Sequence, residues 1–351
     1  MTTTKKKTFF RIVGGLLILL FFLGSVSLYM FYHHVYEPNV DLKGQTDQDI
    51  YIPTGSTYED VRAILHEQDL LLNPETFHRL ALRKNYHNRV RPGRYVVHDN
   101  MSNNGLINML RAGNQVPVKV TFNNIRTSAQ LAGMVSRILE VDSLSVINLL
   151  KDPAQAKAYG FGPETFPLMF IPNTYEFYWN TSASALFDRM HQEYKRYWNN
   201  TRLEKARSVN LTPSQAAILA SIIQLETNKK DEMATIAGVY INRLQKNIPL
   251  QADPTVVFAV GDLTIKRVLN HHLKIDSPYN TYLNAGLPPG PISLPAPDVV
   301  DEVLNYEDHD YIFFCARDDF SGYHAFAKTY SEHLANARRY QKALNERKIM
   351  K

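Results

Sequence analysis

One glutamate of this 351-residue chain lies where its carboxyl group could act as a general acid. Glu226 ends the apolar run of residues 216–225, a pattern typical of a helix buried in a domain core. Thr212 and Pro213 indicate where that helix begins, as a capping residue followed by proline at the first helical position. Helical spacing places the Glu226 carboxyl on one face with Leu219, Ile222 and Ile223. Because burial and the negative end of a helix both disfavour a carboxylate, we expect a raised pKa for Glu226.

Two other interpretations of this carboxyl group stay open at the level of sequence. The Glu226 side chain could turn outward into water beside Lys229 and Lys230. Asp253 could supply a second carboxylate, since most glycoside hydrolases use a pair, although an aspartate before a proline is also a common turn former. Sequence spacing gives no distance between the two carboxyl groups.

Histidine and cysteine provide no comparable pattern. The chain has 12 histidines, of which His271 and His272 are adjacent, and it contains no H-E-x-x-H sequence. Its one cysteine, Cys315, lies in the run YIFFCA, which predicts a buried strand, and a single cysteine forms no internal disulfide. We therefore expect neither a metal site nor a cofactor.

The charge distribution argues against a nucleic-acid partner. The formal net charge is +5, and Lys5, Lys6, Lys7 and Arg11 supply four of these charges. The rest of the chain is nearly neutral, so it has no basic face for a phosphate backbone.

These basic residues precede an uncharged run that is about long enough to cross a bilayer. Residues 12–32 are predicted to form a transmembrane helix rather than a cleaved signal peptide, because the apolar run is longer than that of a signal peptide. The positive N-terminus predicts a cytoplasmic tail at residues 1–11 and places the later residues outside the cytoplasmic membrane. Residues 33–49 are polar and predict a linker.

The remaining residues predict two soluble units of the α+β class. Residues 50–115 read as a small unit, with strands near residues 50–52 and 94–97 and helices that start at Thr57, after Asn73 and at Asn103. Residues 116–351 form a larger unit, and its first part shows the same strand-helix-helix pattern at an offset of about seventy residues, through either duplication or convergence on a common pattern. Further on we expect one helix over residues 183–206, a helix capped by Asp231, two strands and a final helix.

Six ordered motifs resemble those of the YceG-like family, the endolytic murein transglycosylases. They are Glu226-Thr227, Asn242-Arg243-Leu244, residues 250–256 (LQADPTV), residues 277–282 (SPYNTY), residues 286–292 (GLPPGPI) and the set His324-x-Phe326-x-x-Thr329-x-x-Glu332-His333-x-x-Asn336. Two positions depart from the family pattern: Asn173 stands where the family often has aspartate, and Ala252 where it has serine or threonine. The resemblance covers nearly the whole chain.

The resemblance implies a membrane anchor, a LysM-like unit at residues 50–115 and a catalytic domain at residues 116–351. It implies a lyase that cuts the MurNAc-GlcNAc bond within peptidoglycan strands and leaves 1,6-anhydroMurNAc ends, with Glu226 as the catalytic residue. Terminating the elongation of nascent strands, with peptidoglycan synthases as partners, would fit this activity. Candidate substrate-binding residues are Asn242, Gln251, Asp253, Tyr279 and Asn280. A glycoside hydrolase with two carboxylates and a non-enzymatic peptidoglycan-binding scaffold are the alternatives.

Overall fold

A computed structural model of the chain describes residues 3–347. Residues 1–2 of the predicted tail and residues 348–351 at the end of the predicted catalytic domain lie outside the described residues. The chain divides into two compact units, residues 1–118 with 176–180 and residues 119–175 with 181–351. Helices and strands both occur, and a long apolar helix stands at the N-terminus, which confirms the predicted mixed composition.

The first unit combines one pair of strands with helices. Its elements are α1 (Thr3–Tyr36), β1 (Asp47–Ile52), α2 (Tyr58–Glu67), α3 (Pro74–Arg83), β2 (Gly93–His98) and α4 (Asn103–Ala112). Strands β1 and β2 run antiparallel, with Ile50 opposite Tyr95, and both of these side chains are buried. The Thr57 and Asn73 side chains cap α2 and α3, as their positions before the two helices predicted.

The segment predicted as a linker contributes to the core of this unit. Val40 and Leu42 are buried in one hydrophobic cluster with the strands and helices, and so is Val35 near the end of α1. Isolated bridges join Pro38 to Ser102 and Val40 to Leu71. The chain between α1 and β1 is therefore packed against the unit rather than extended into solvent.

Helix α1 is the one described helix that is long and apolar enough to cross a membrane. The apolar part covers Arg11–Tyr36, with a mean hydropathy of 2.3, and its side chains are exposed over most of that length. Since residues 3–347 leave this surface largely uncovered, burial in a lipid bilayer would account for it.

The later elements comprise four strands and ten α-helices within the described residues. They are β3 (Val118–Thr121), α5 (Ser128–Ile138), α6 (Ser143–Lys151), α7 (Pro153–Ala158), β4 (Thr174–Phe177), α8 (Ala183–Tyr197), α9 (Asn200–Ser208), α10 (Pro213–Glu226), α11 (Met233–Gln245), α12 (Asp253–Val260), α13 (Pro297–Leu304), β5 (Phe313–Ala316), β6 (His324–Ala327) and α14 (Tyr330–Glu346). Strand β3 pairs with β4, and β5 runs antiparallel to β6.

Helix α10 lies at the centre of the second unit. Residues 216–223 are all buried, and the helix packs against α11, α12 and α13. Thr212 and Gln215 form the capping box that starts it. Its one buried polar side chain, Ser221, donates to the Ile218 carbonyl at 2.7 Å and accepts from the Ile292 amide at 3.1 Å. The prediction of a fully buried helix that ends at Glu226 is confirmed.

Two local predictions were wrong. The helix expected over residues 183–206 breaks into α8 and α9, because the Asn199 side chain accepts a hydrogen bond from the Arg202 amide and starts a new helix there. Asp231 does not cap α11. It lies in a 3₁₀ turn before that helix, where its carboxylate accepts a hydrogen bond from the Tyr323 hydroxyl at 3.0 Å.

Candidate active site

Glu226 is placed by the end of a rigid helix. It is the last residue of α10, three positions after the buried stretch 216–223, and the chain leaves the helix at Thr227 in an extended conformation. The side chain turns into the protein rather than toward the neighbouring lysines, and it remains partly exposed in a cavity. The outward orientation considered from the sequence is therefore not adopted.

Tyr240 is the direct partner of this carboxyl group. Its hydroxyl, on the buried side of α11, donates to Glu226 Oε1 at 2.7 Å, and only 1% of the tyrosine is exposed. Burial raises the pKa of Glu226 to about 7, the Tyr240 hydrogen bond opposes this rise, and the negative charge of Asp253 adds to it. A carboxyl group with this pKa can both give and take a proton near neutral pH.

A second carboxylate lines the same cavity. Asp253 is the first residue of α12, and its Oδ1 accepts a hydrogen bond from the Tyr282 hydroxyl at 2.6 Å. Burial and this hydrogen bond to a carboxylate raise the pKa of Tyr282, so the phenol stays protonated and keeps donating. The aspartate that could have been a simple turn residue thus faces the same space as Glu226.

A buried arginine joins three elements beneath the cavity. Arg243 of α11 is 7% exposed and donates to the Ile312 carbonyl at 2.8 Å, to the Leu250 carbonyl at 2.6 Å and to Gln251 Oε1 at 3.2 Å. Within residues 3–347 it forms no ion pair with a carboxylate. The guanidinium holds Gln251 at the cavity wall and adds positive charge there.

A glutamate-histidine pair contributes to the same cavity through His324. Glu232 is 6% exposed, and it accepts hydrogen bonds from the His324 amide at 2.7 Å and from His324 Nδ1 at 3.1 Å. Because the buried carboxylate favours a proton on Nδ1, it orients the imidazole of β6 against the cavity. The His324 ring also stacks edge-on against Phe314, with ring centroids 5.3 Å apart.

Together these side chains surround a cavity of about 340 Å³, which is within the usual size range of small-molecule sites. Strand β5 supplies an apolar wall through Phe313 and Phe314, and α14 adds Tyr330 and His333. The His333 ring stacks on Phe313, and its Nδ1 is buried with no hydrogen-bond partner among the described residues. Burial lowers the pKa of His333 and so favours the neutral ring. A carboxyl group with a raised pKa, polar groups and aromatic rings thus face one open space.

Comparison with known proteins identifies the family. Residues 50–339 match the sequence profile of the YceG-like family, which is most of the chain. This chain belongs to the YceG-like family. The matched residues include α10, α11, α12 and both strands of the β5-β6 sheet, so every wall of the cavity lies within the family region.

Similar proteins carry the names expected of this family. An endolytic murein transglycosylase of Bacillus subtilis (strain 168) is 29% identical over 324 residues, covering 88% of this chain and 89% of the relative. The endolytic murein transglycosylase of Streptococcus pneumoniae serotype 2 (strain D39 / NCTC 7466) is 26% identical over 311 residues, which is 79% of this chain but 55% of that protein. A crystal structure of a yceG-like protein from Listeria monocytogenes has a TM-score of 0.55 and 28% identity, covering 83% of this chain and 98% of that one.

The YceG-like fold brings three of the six candidate residues into this cavity and leaves three elsewhere. Glu226, Gln251 and Asp253 line it. Asn242 donates instead to the carbonyls of His309 and Tyr311, at 2.6 and 3.0 Å.

The other two candidates belong to the loop that precedes Tyr282. Asn280 is fully buried and donates to the carbonyls of Leu273 and Ile275, at 3.0 and 2.9 Å. The Tyr279 ring packs at a tilt against the Phe258 ring, and Tyr279 lines a separate cavity of about 270 Å³. These residues shape the loops of the YceG-like domain rather than the wall around Glu226.

Sequence reasoning assigned no role to several residues of the cavity. Tyr240 was not among the candidate residues, and Arg243 and Tyr282 were noted only as parts of motifs. Glu232 was not singled out, although its position six residues after Glu226 placed it near the end of α10. No sequence signal pairs Tyr240 with Glu226, because their contact depends on how α10 and α11 pack.

Proposed function

We propose that this chain is a membrane-anchored endolytic murein transglycosylase that cuts the MurNAc-GlcNAc bond inside peptidoglycan strands. The observation that carries the proposal is the Glu226 carboxyl group, which lies on a cavity wall and has a pKa raised to about 7. Membership of the YceG-like family and the names of its relatives support the same activity.

The proposed reaction needs one carboxyl group and no water. Protonated Glu226 gives its proton to the glycosidic oxygen as the bond from that oxygen to C1 of MurNAc breaks. The C6 hydroxyl oxygen of the same MurNAc then bonds to C1, and its proton passes to the Glu226 carboxylate. The products are a free GlcNAc hydroxyl and a 1,6-anhydroMurNAc end, and Glu226 is protonated again.

The surrounding groups have supporting roles in this proposal. Tyr240 stabilises the carboxylate that exists between the two proton transfers, because its hydroxyl donates to Oε1. Gln251 and Asp253 are placed to contact sugar hydroxyls or the acetamido group. Asn242, Tyr279 and Asn280 contribute to substrate positioning by holding the loops that form the site.

A glycoside hydrolase is the second candidate, and Asp253 is the observation that favours it. Two carboxyl groups on one cavity, with the charge of one raising the pKa of the other, also fit a hydrolase. The two reactions leave different ends, since a hydrolase adds water and releases a reducing sugar. For each bond cut, the transglycosylase product is lighter by one water than the hydrolase product.

The test uses purified full-length protein in detergent with uncross-linked glycan strands, followed by mass spectrometry of the ends. We expect anhydro ends from the unaltered protein and a rate loss on the order of 10²- to 10⁴-fold in Glu226→Gln, the usual contribution of a general acid-base group. Glu204→Gln, on the exposed surface of α9, is the matched control and should keep full activity. Reducing ends would support the hydrolase, and retained cellular function in Glu226→Gln would support a scaffold.

The remaining parts of the chain fit a location at the cytoplasmic membrane. We propose that α1 is a single-pass anchor with its N-terminus in the cytoplasm, because four basic residues precede the apolar run. The catalytic domain then lies on the outer side, where nascent glycan strands are made, and cutting there would end their elongation beside peptidoglycan synthases. The β1-α2-α3-β2 order of the first unit supports a LysM-like role in holding glycan.

A further inference from the structure

A groove in the first unit lies between the apolar helix and the helix that packs beside its end. Its volume is about 360 Å³, and α1 and α3 form both of its walls. The residues used in the argument are Ser27, Phe31, His34, Thr76, Arg79 and Arg83.

The position of this groove along α1 corresponds to the outer edge of a bilayer. An apolar helix that enters the hydrocarbon at residue 12 crosses about 30 Å in roughly 20 residues and leaves it near Phe31. The α1 residues in the groove, from Ser27 to His34, therefore lie on both sides of that boundary. The facing residues of α3 must then lie at the level of the lipid headgroups.

Two arginines of α3 give the groove its charge. Arg79 and Arg83 are one helical turn apart on one face, and both are exposed. The Arg83 guanidinium lies 5.5 Å from the centre of the Phe31 ring, so it is held against α1. Neither arginine forms an ion pair with a carboxylate in the described part of the chain. Arg79 Nε donates to the Glu75 carbonyl of its own helix at 3.4 Å, and the terminal nitrogens of both guanidinium groups can bind an anion beside the apolar helix.

A buried amide network holds the two walls together. Asn103 is 1% exposed, and its Nδ2 donates to the His34 carbonyl and to Thr76 Oγ1, both at 2.9 Å. Asn39 donates to Asn103 Oδ1 at 2.7 Å, and its own Oδ1 accepts from the Asn73 amide at 2.8 Å. Because these contacts link the end of α1 to the start of α3, the groove keeps its shape without a ligand.

We propose that this groove binds the phosphate headgroup of an anionic phospholipid. Guanidinium groups pair with phosphate oxygens in bidentate geometry, and the acyl chains of the lipid would continue along the exposed apolar side of α1. The bound lipid would fix the tilt of the first unit on the membrane surface. This inference rests on the proposed membrane anchor and is independent of the chemistry at Glu226.

Native mass spectrometry of the full chain in mixed micelles of phosphatidylglycerol and phosphatidylcholine tests the proposal. We expect selective retention of phosphatidylglycerol by the unaltered protein. In Arg79→Gln/Arg83→Gln the selectivity should fall on the order of tenfold or more, because a basic residue near a charged surface contributes about fivefold, or roughly 1 kcal/mol. Arg79→Lys/Arg83→Lys keeps the charge and should retain part of the preference. This second variant also keeps the test valid if the glutamine variant fails to fold.

The matched control is Arg62→Gln/Arg89→Gln, which removes the same charge from the first unit outside the groove and should leave selectivity unchanged. The N-terminal lysines are present in every variant and give an equal background. Equal retention of both lipids by the unaltered protein would overturn the proposal, as would binding of inorganic phosphate without any lipid preference. If the chain did not associate with the mixed micelles at all, the membrane anchor itself would be wrong.

Discussion

Two opposing effects act on the acidity of the Glu226 side chain. Desolvation at the end of α10 raises its pKa, and the Tyr240 hydroxyl lowers it by donating to the charged form. The result, a pKa of about 7, leaves a substantial fraction of the acid form at neutral pH. The proposed reaction begins from that protonated form, so the reaction rate should report the balance between the two effects.

The pH dependence of cleavage tests this balance. We expect kcat/KM for glycan strands to fall as the pH rises through about 7, because Glu226 must carry a proton before the first step. In Tyr240→Phe the Glu226 carboxylate loses a stabilising donor, so the pKa of Glu226 should rise further. The descending limb of the plot of kcat/KM against pH should then move to higher pH. Tyr197→Phe removes a hydroxyl that donates to the Pro297 carbonyl, and it should leave the limb in place. An unshifted limb in Tyr240→Phe would contradict the assignment.

The same carboxyl group should make folding stability depend on pH. The pKa of Glu226 is higher in the folded chain than its ordinary value of 4.5, so its contribution to stability is complete below that value. This contribution is lost as the pH rises toward 7, and the loss amounts to at most about 3 kcal/mol.

Urea unfolding of the unaltered protein and of Glu226→Gln at pH 5 and pH 8 measures this effect. Since glutamine does not titrate, the stability of the variant relative to the unaltered protein should be greater at pH 8 than at pH 5. All other titrating groups are common to both proteins, so their contributions cancel to first order. The same difference at both pH values would mean that Glu226 has an ordinary pKa.

At the scale of elements, the site depends on how α11 packs against the loop that leads to β5. Gly238 lies in the middle of α11, two residues before Tyr240, and a Cβ atom there would come within 2.4 Å of the Glu307 carbonyl oxygen and 2.7 Å of His309 Nε2. Asn242, one turn later, donates to the His309 and Tyr311 carbonyls. This close approach aligns Tyr240 with Glu226.

Gly238→Ala should therefore destabilise the protein by about 1–3 kcal/mol, the usual cost of overpacking, although alanine is the better helix former. Gly133→Ala is the matched control, because Gly133 lies in helix α5 and its Cβ would meet no atom within 4 Å. The control should be neutral or stabilising by up to about 1 kcal/mol. Thermal and urea unfolding of both variants measures the difference, and equal stabilities would show that α11 and the loop can separate at little cost.

At the scale of the whole molecule, the apolar helix α1 is continuous with the core of the first unit. Val35 and Val40, which lie before β1, are 5% and 1% exposed in the core of that unit, and Asn39 between them is 6% exposed. The boundary between the exposed apolar part of α1 and the folded part therefore lies earlier in the chain than the polar composition of residues 33–49 indicated.

Truncated chains that begin at His33 and at Asp41 should differ in stability. The shorter chain lacks both buried valines and the Asn39 amide that bonds to Asn103, so its first unit should be less stable by a few kcal/mol, at about 1.5–3 kcal/mol for each buried valine. Hydrogen exchange of the α3 and α4 amides provides the measurement. Equal protection in the two chains would show that these residues contribute nothing to the core.

The sequence by itself determined the local part of this site. The capping box at Thr212, the largely apolar run of residues 216–225 and the position of Glu226 at its end depend on near neighbours in the chain. Helical periodicity placed the carboxyl group on an aliphatic face and left its outward orientation open. The family motifs likewise pointed to the segments that surround the cavity.

Only the tertiary structure decided what meets that carboxyl group. The contact of Tyr240 with Glu226, the placement of Asp253 on the same cavity, and the turn of Asn242 toward carbonyl groups instead of this cavity all depend on how helices and loops far apart in the chain pack together. Helical periodicity indicates which face of α11 is buried, but not which atom of another element that face touches. The atom that this face touches is determined by close packing over the whole unit.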